Sequence, residues 1–298
     1  MMSDDRPTLR IGQSPDPDDA FMWWPLVGGA GGPSEFHTGR FRYQPVLDDI
    51  ETLNRLSERG ELEITAISCA QYPYVSDRYA LTNCGTSMGD HYGPRIVSNR
   101  PMSVDDLRRD EVVLAIPGER TSAFRAATML LGAGSFRHAV VRFDQIVPRV
   151  AAGEFAAGLV IHEAQLTFAE AGLHLIADVG MWWSSHCGLP LPLGVNAIRR
   201  DLDESYGQST LRQITADLHR CVQFALNHHD EALAYALGRA KDVSPELGER
   251  FVNMYVNRWT LDLGSVGRAA VQTFLQEAHR AGLSPDPGEV DIILPNAD

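Results

Sequence analysis

No stretch of the 298 residues is long and apolar enough to suggest a membrane span. The first residues, Met-Met-Ser-Asp-Asp-Arg-Pro-Thr, have neither the basic start nor the apolar run of a secretory leader. A cytoplasmic protein with no membrane partner is therefore expected. Positive charge is also scarce: 26 Lys and Arg against 39 Asp and Glu leave a formal net charge of −13. That balance argues against nucleic acid or an anionic membrane surface as the main partner. It still allows a small anionic ligand, because helix amino-termini and single arginines can hold one. Cysteine is sparse too. The four present, Cys69, Cys84, Cys187 and Cys221, show no CxxC spacing, so reduced thiols are expected rather than a disulfide framework or a metal site. His186 beside Cys187 lacks a second ligand pair and reads as structural.

What is present is an ordinary globular composition, 44% hydrophobic and 22% charged, ample for one large or two medium domains. Residues 9–12 read as a first strand. It runs into Ser14-Pro15-Asp16-Pro17-Asp18-Asp19, which suits a tight turn with an Asp or Ser capping a helix from about Asp18. Strands are expected over 41–47 and 62–68, with a helix at 49–59 closed by Gly60 and a helical turn at 69–75. Residues 85–93 read as a glycine-rich loop and 94–98 as a strand leading away. The alternation then restarts, with strands at 112–116 and 159–161 and helices at 103–109, 123–131 and 146–152. An apolar segment, 189–198, follows Trp182 and Trp183. Strand, helix, strand with short joins points to parallel sheets. Beyond Asp201 the chain reads as helix throughout, with Ser209 at a cap position; Asp242 and the acidic 246–249 stretch suit a solvated face.

This succession predicts an α/β fold of two lobes joined by two hinge strands. Residues 1–98 with 198–298 form one lobe, which carries the carboxyl-terminal helices, and 99–197 form the other. Ligands of open α/β sheets collect at the carboxyl ends of strands, and the loops around Ser14–Asp19, Ser68–Tyr72 and Arg120–Ala123 all fall there. His162 directly follows the apolar run Leu159-Val160-Ile161 at another strand end. Imidazole suits a proton acceptor, although a histidine here could equally cap a helix or fill a polar gap. Thr121 and Ser122 could seat a carboxylate or merely cap their own helix. Trp182 and Trp183 could cover an aromatic ligand or fill a core.

A series of blocks in order carries a resemblance over nearly the whole chain. They are Ser14-Pro-Asp-Pro-Asp-Asp-Ala-Phe, Asp49-Ile-Glu-Thr-Leu-Asn54, Glu63-Ile-Thr-Ala-Ile-Ser68 and Pro117-Gly-Glu-Arg-Thr-Ser-Ala123. Phe143-Asp-Gln-Ile, Gly158-Leu-Val-Ile-His-Glu163, Gly188-Leu-Pro-Leu-Pro-Leu-Gly194 and Tyr255-Val-Asn-Arg-Trp-Thr-Leu-Asp262 continue it. The set resembles the 1,4-dihydroxy-6-naphthoate synthases of the futalosine route to menaquinone. The resemblance implies a fold like the type II periplasmic binding proteins, and a lyase acting on cyclic dehypoxanthinyl futalosine. It implies His162 as the base, with substrate contacts at Asn54, Ala66, Ile67, Ser68, Thr121, Ser122 and Ala123; Ser14 joins them from the first loop. It implies no metal and no organic cofactor, since proton transfer and release of an aromatic product can suffice. The partner is then a small anionic substrate; no oligomeric state follows from these patterns.

Two places depart from the family's usual pattern. Ala66-Ile67-Ser68 stands where Lys-Ile-Ser is common, and Asp16-Pro17-Asp18-Asp19-Ala20 where Cys-Pro-Asn-Asp-Thr is common. The site is thereby more acidic than an anionic substrate would favour, and Arg95, Arg120 or Arg125 could compensate. Two other readings share the fold: a non-catalytic solute-binding protein, expected to carry an export signal or lipid-anchor cysteine, and the chorismate dehydratase of the same pathway. The Ile-His-Glu and Leu-Pro-Leu-Pro-Leu-Gly segments favour the naphthoate enzyme.

Overall fold

The computed structural model describes residues 6–26, 32–33, 35–239 and 244–295; Asp242 lies outside them. Strand β1 (Thr8–Gln13) leads through the first loop into α1 (Pro17–Trp23). There follow β2 (Arg42–Leu47), α2 (Ile50–Glu58) and β3 (Ile64–Ser68). Asp49 starts α2 by accepting the Thr52 amide at 3.0 Å, as an N-cap should. The turn after β3 is a 3-10 helix, Cys69–Tyr74, because Pro73 has no amide to extend an α-helix. Three short strands come next: β4 (Tyr79–Thr82), β5 (Ser87–Gly89) and β6 (Arg95–Ser98).

The second α/β run comprises β7 (Val113–Ile116), α3 (Ser122–Leu131), β8 (Arg137–Val140), α4 (Phe143–Ala151) and β9 (Ala157–Val160). It continues with α5 (Ala164–Thr167), β10 (His174–Asp178), α6 (Val179–Cys187) and the long β11 (Leu191–Arg199). The carboxyl-terminal part holds α7 (Leu202–Tyr206), α8 (Thr210–Asn227), α9 (His229–Arg239), α10 (Pro245–Tyr255), α11 (Arg258–Leu261) and α12 (Gly264–Arg280). It ends in β12 (Ile292–Ile293).

Among the described residues the strands form two sheets. One has seven strands in the order β12-β4-β11-β3-β1-β2, with β5 also paired to β11; the other has five, β10-β6-β9-β7-β8. Each contains a parallel trio, β2-β1-β3 or β8-β7-β9, closed by an antiparallel strand, β11 or β6. The sheets are therefore mixed rather than purely parallel. The strand that leaves the first sheet pairs in the second, and the strand that returns pairs in the first. The crossings lie between β5 and β6 and between α6 and β11. A continuous apolar cluster runs from Ile67, Tyr79 and Val195 through Ile96, Leu114 and Leu159 to Trp183 and Phe274, tying both sheets together.

Several expectations need correction. The 85–93 loop contains β5, and the region beyond Asp201 is not all helix, since β12 pairs parallel with β4. Strands this short carry no readable alternation. Ser209 sits at φ +71° and makes no cap bond. Trp183 is fully buried, donating to the Pro190 carbonyl at 3.1 Å, and Trp182 stacks on His186. They fill the α6 packing instead of covering a ligand. Among the described residues no helix is long and apolar enough to cross a membrane.

Candidate active site

The loops at the carboxyl ends of β1, β3, β7 and β9 converge on one cavity, where the topology of an open α/β sheet places a ligand. Its wall includes Ser14, Asp16, Asp18, Asp19, Ala66, Ser68, Thr121, Ser122, Ala123 and His162. Of the residues expected from sequence, Asn54 and Ile67 are not on this wall. Ile67 is wholly buried in the core. Asn54 acts behind the wall: its Oδ1 accepts the Ser68 amide at 2.8 Å, and its Nδ2 donates to Ser68 Oγ at 3.1 Å. It fixes Ser68 without reaching the cavity.

Thr121 takes the plain role that its sequence position allowed. Its hydroxyl accepts the Phe124 amide at 3.1 Å and caps α3. The Ser122 hydroxyl is also engaged, donating to the Leu193 carbonyl at 2.7 Å and accepting the Ala70 amide at 3.1 Å. What this corner presents to a ligand is the first turn of α3, whose amides have no partner within the helix.

His162 follows β9 in the left-handed conformation, φ +56°, a turn that lifts the ring off the strand axis. Phe143 of α4 meets the imidazole edge-to-face, with ring centroids 4.7 Å apart. Its Nδ1 lies 3.1 Å from Asp16 Oδ2. Asp16 occupies the N-cap position of α1 but makes no side-chain cap bond, contrary to the expected capping role.

The other two carboxyl groups of this loop are buried. Asp19 accepts the Ser14 amide at 2.7 Å, and Asp18 accepts the Ser87 hydroxyl at 2.9 Å. Burial, then repulsion from Asp18, holds the Asp19 carboxyl well above the usual carboxylate range. Burial, then repulsion from Asp16, pushes Asp18 up from its ordinary value of 3.8 to about 6. A carboxyl raised in the folded state costs stability as pH climbs through that interval, and the cost is absent below it. Asp18→Asn keeps an acceptor for Ser87 but removes the charge. It should raise the melting temperature at pH about 7.5 by an amount equivalent to roughly 2–3 kcal/mol. The gain should vanish near pH 4. Thermal unfolding at both pH values checks this, and a pH-independent gain would contradict it.

None of Arg95, Arg120 and Arg125 supplies the compensating charge on this wall. Arg95 pairs with Asp178 at 3.3 Å and donates to the Gln165 carbonyl. Arg120 pairs with Glu58 and lies over the Tyr74 ring, while Arg125 bonds the Leu283 carbonyl and the Tyr74 hydroxyl.

Sequence reasoning missed Ser87, Gln165, Asn196, Phe251 and Tyr255, all on the wall. Tyr255 donates to Gln165 Oε1 at 2.9 Å, joining α10 to α5, and burial pushes its phenol far up. Asn196 donates to the Gly85 carbonyl, but its buried Oδ1 has no partner among the described residues. A lone amide in the apolar β11 segment was the signal for it, because such a group is costly unless something satisfies it. Gly85 must lack a side chain: its φ is +74°, and a Cβ would lie 2.6 Å from both Asn196 Nδ2 and the Trp23 ring.

The fold defines a two-lobed α/β protein of the periplasmic-binding-protein kind, and its cavity carries a titratable ring. The alkanesulfonate-binding protein of Xanthomonas axonopodis pv. citri, solved with MOPS, shares the fold at TM-score 0.69 and 12% identity, over 96% of this chain and 98% of that one. A solved protein of Archaeoglobus fulgidus is nearer, at TM-score 0.82 and 36% identity over 93% of this chain and 98% of that one. A family described as menaquinone biosynthesis matches residues 9–280. The chain belongs to this family, and it is an enzyme. The 1,4-dihydroxy-6-naphtoate synthase of Thermus thermophilus is 39% identical over 94% of this chain and 97% of its own length. The enzyme of the same name from Streptomyces coelicolor is 34% identical over 97% of this chain and 99% of its own.

Proposed function

We propose that this enzyme is a carbon–carbon lyase that converts cyclic dehypoxanthinyl futalosine to 1,4-dihydroxy-6-naphthoate, with His162 as general base. The observation that carries the reading is the position of His162: it stands on the wall of the cavity at the strand ends, in a chain whose relatives bear the synthase name. His162 removes a proton from the bound substrate, the sugar-derived ring opens with cleavage of a carbon–carbon bond, and the naphthoate aromatises on release. Apolar side chains of the wall, among them Ile50, Ile161, Val195 and Phe251, suit a flat bicyclic ring. The α3 first turn suits the substrate carboxylate, since its amides point outward and the helix dipole favours negative charge there. Ser68, held by Asn54, adds a hydroxyl to the same wall.

Incubation of the purified full-length chain with cyclic dehypoxanthinyl futalosine should yield 1,4-dihydroxy-6-naphthoate, detected by mass. Recovery of unchanged substrate, or dehydration of chorismate by the same preparation, would overturn the assignment.

A further inference from the structure

The acidic first loop holds a carboxylate that the helix beside it does not use. Asp16 has the extended backbone of an N-cap, φ −68° and ψ 153°, and a capping aspartate typically contributes about 1 kcal/mol to its helix. Its side chain makes no such bond, and α1 begins with Pro17, which has no amide to satisfy. The carboxylate is instead turned to the His162 ring, with Oδ2 3.1 Å from Nδ1. Both side chains are largely sequestered from solvent, at 11% and 15% exposure, where the attraction between a carboxylate and an imidazole is weakly screened.

The two partners come from different sheets. Asp16 follows β1 of the seven-stranded sheet, and His162 follows β9 of the five-stranded one. The ring is fixed from its own side by Phe143 and by its left-handed backbone, and from the opposite side by Asp16. Other titratable groups around it are Asp18 and Asp19 on α1, the adjoining Glu163, and Tyr255 on α10, which reaches α5 through Gln165. Asp18 is engaged by Ser87 and Asp19 by the Ser14 amide, which leaves Asp16 as the carboxylate aimed at the imidazole.

We propose that Asp16 is the positioning residue of His162. It accepts the Nδ1 proton, holds the tautomer in which Nε2 is the free acceptor, and completes the base from the opposite half of the molecule. The inference rests on His162 being the base, and it names the group that makes the ring competent. A carboxylate–imidazole pair of this kind fixes which nitrogen carries the proton and steadies the imidazolium once the substrate proton has arrived.

The test uses the full chain with ¹⁵N-labelled histidine, the His162 signals being assigned by their loss in His162→Asn. Above neutral pH the native protein should show His162 protonated on Nδ1. Asp16→Asn should move the proton to Nε2 or mix the two forms. The same substitution should lower kcat by about 10–100-fold with KM changed no more than about threefold. Asp16→Ser provides a second variant in which a good capping residue supports α1, so a folding defect cannot explain a shared result. An Nε2-protonated ring in the native protein, or an unchanged tautomer and kcat in both variants, would overturn the proposal. The tautomer readout needs no substrate. Failure of the lyase assignment would therefore appear as absent turnover with the Nδ1–H signal intact, whereas failure of this inference would appear in the signal itself.

Discussion

His162→Asn should lower kcat by about a thousandfold, within the range that a positioned general base contributes, and should leave KM within a few-fold of its native value. Asparagine is the informative replacement, because His162 sits at φ +56° and asparagine tolerates the left-handed region better than most residues. Alanine would add backbone strain to the chemical loss and blur the result. The ring's remaining contacts, with Phe143, Phe251 and the Asp16 carboxylate, are few, so the melting temperature should change little. Steady-state kinetics with product detected by mass gives kcat, and calorimetry with substrate gives binding. Near-native turnover in this variant would remove His162 from the reaction and leave the wall of the cavity without its base.

The second large effect is structural and lies where the chain crosses between the sheets. Gly180 opens the first turn of α6 and packs against the 89–93 segment so closely that a Cβ there would lie 2.0 Å from the Tyr92 carbonyl oxygen and 2.5 Å from the Gly93 nitrogen. From the other side, a Cβ on Gly93 would lie 2.9 Å from Gly180 Cα. The obstacle is backbone on both sides, which cannot swing away as a side-chain end can. The crossing is further pinned by the Val179 amide on the Pro94 carbonyl at 2.9 Å and the His91 amide on Ser184 Oγ at 3.3 Å. Gly180→Ala should therefore destabilise by about 3 kcal/mol or more, the upper end of overpacking costs. That corresponds to a fall in melting temperature of roughly 6–12 °C for a chain of this size. Thermal unfolding checks it. A loss below about 1 kcal/mol would mean that the segments can part, and that the crossing is looser than its contacts imply.

Much of the scaffold could be read beforehand, and for a definite reason. The β1-α1-β2-α2-β3 run and, beyond it, β7, α3, α4 and β9 carry local signals: apolar strands, Asp49 and Thr121 as working caps, glycine stops. These depend on neighbours a few residues away. The strands that escaped notice, β4, β5, β8, β10 and β12, are short, and pairing partners elsewhere in the chain decide them; β4, for one, pairs with both β11 and β12. The same limit applies to the wall of the cavity. Ser14, Ser68, Ser122 and His162 announced themselves as polar residues at strand ends. Tyr255 and Gln165 lie 90 positions apart and meet only because α10 folds back onto α5.

By itself the sequence determined the alternation of strand and helix, the two α/β runs, the absence of a membrane-spanning pattern and the histidine at a strand end, because each is written in adjacent residues. The tertiary structure alone decided that Asp16 forsakes its helix for the His162 ring, that Asn54 supports Ser68 from behind, and that the arginines are spent elsewhere. Those outcomes turn on which groups burial brings within hydrogen-bonding distance, and a charged side chain with several neighbours in reach takes the partner that the closed fold supplies.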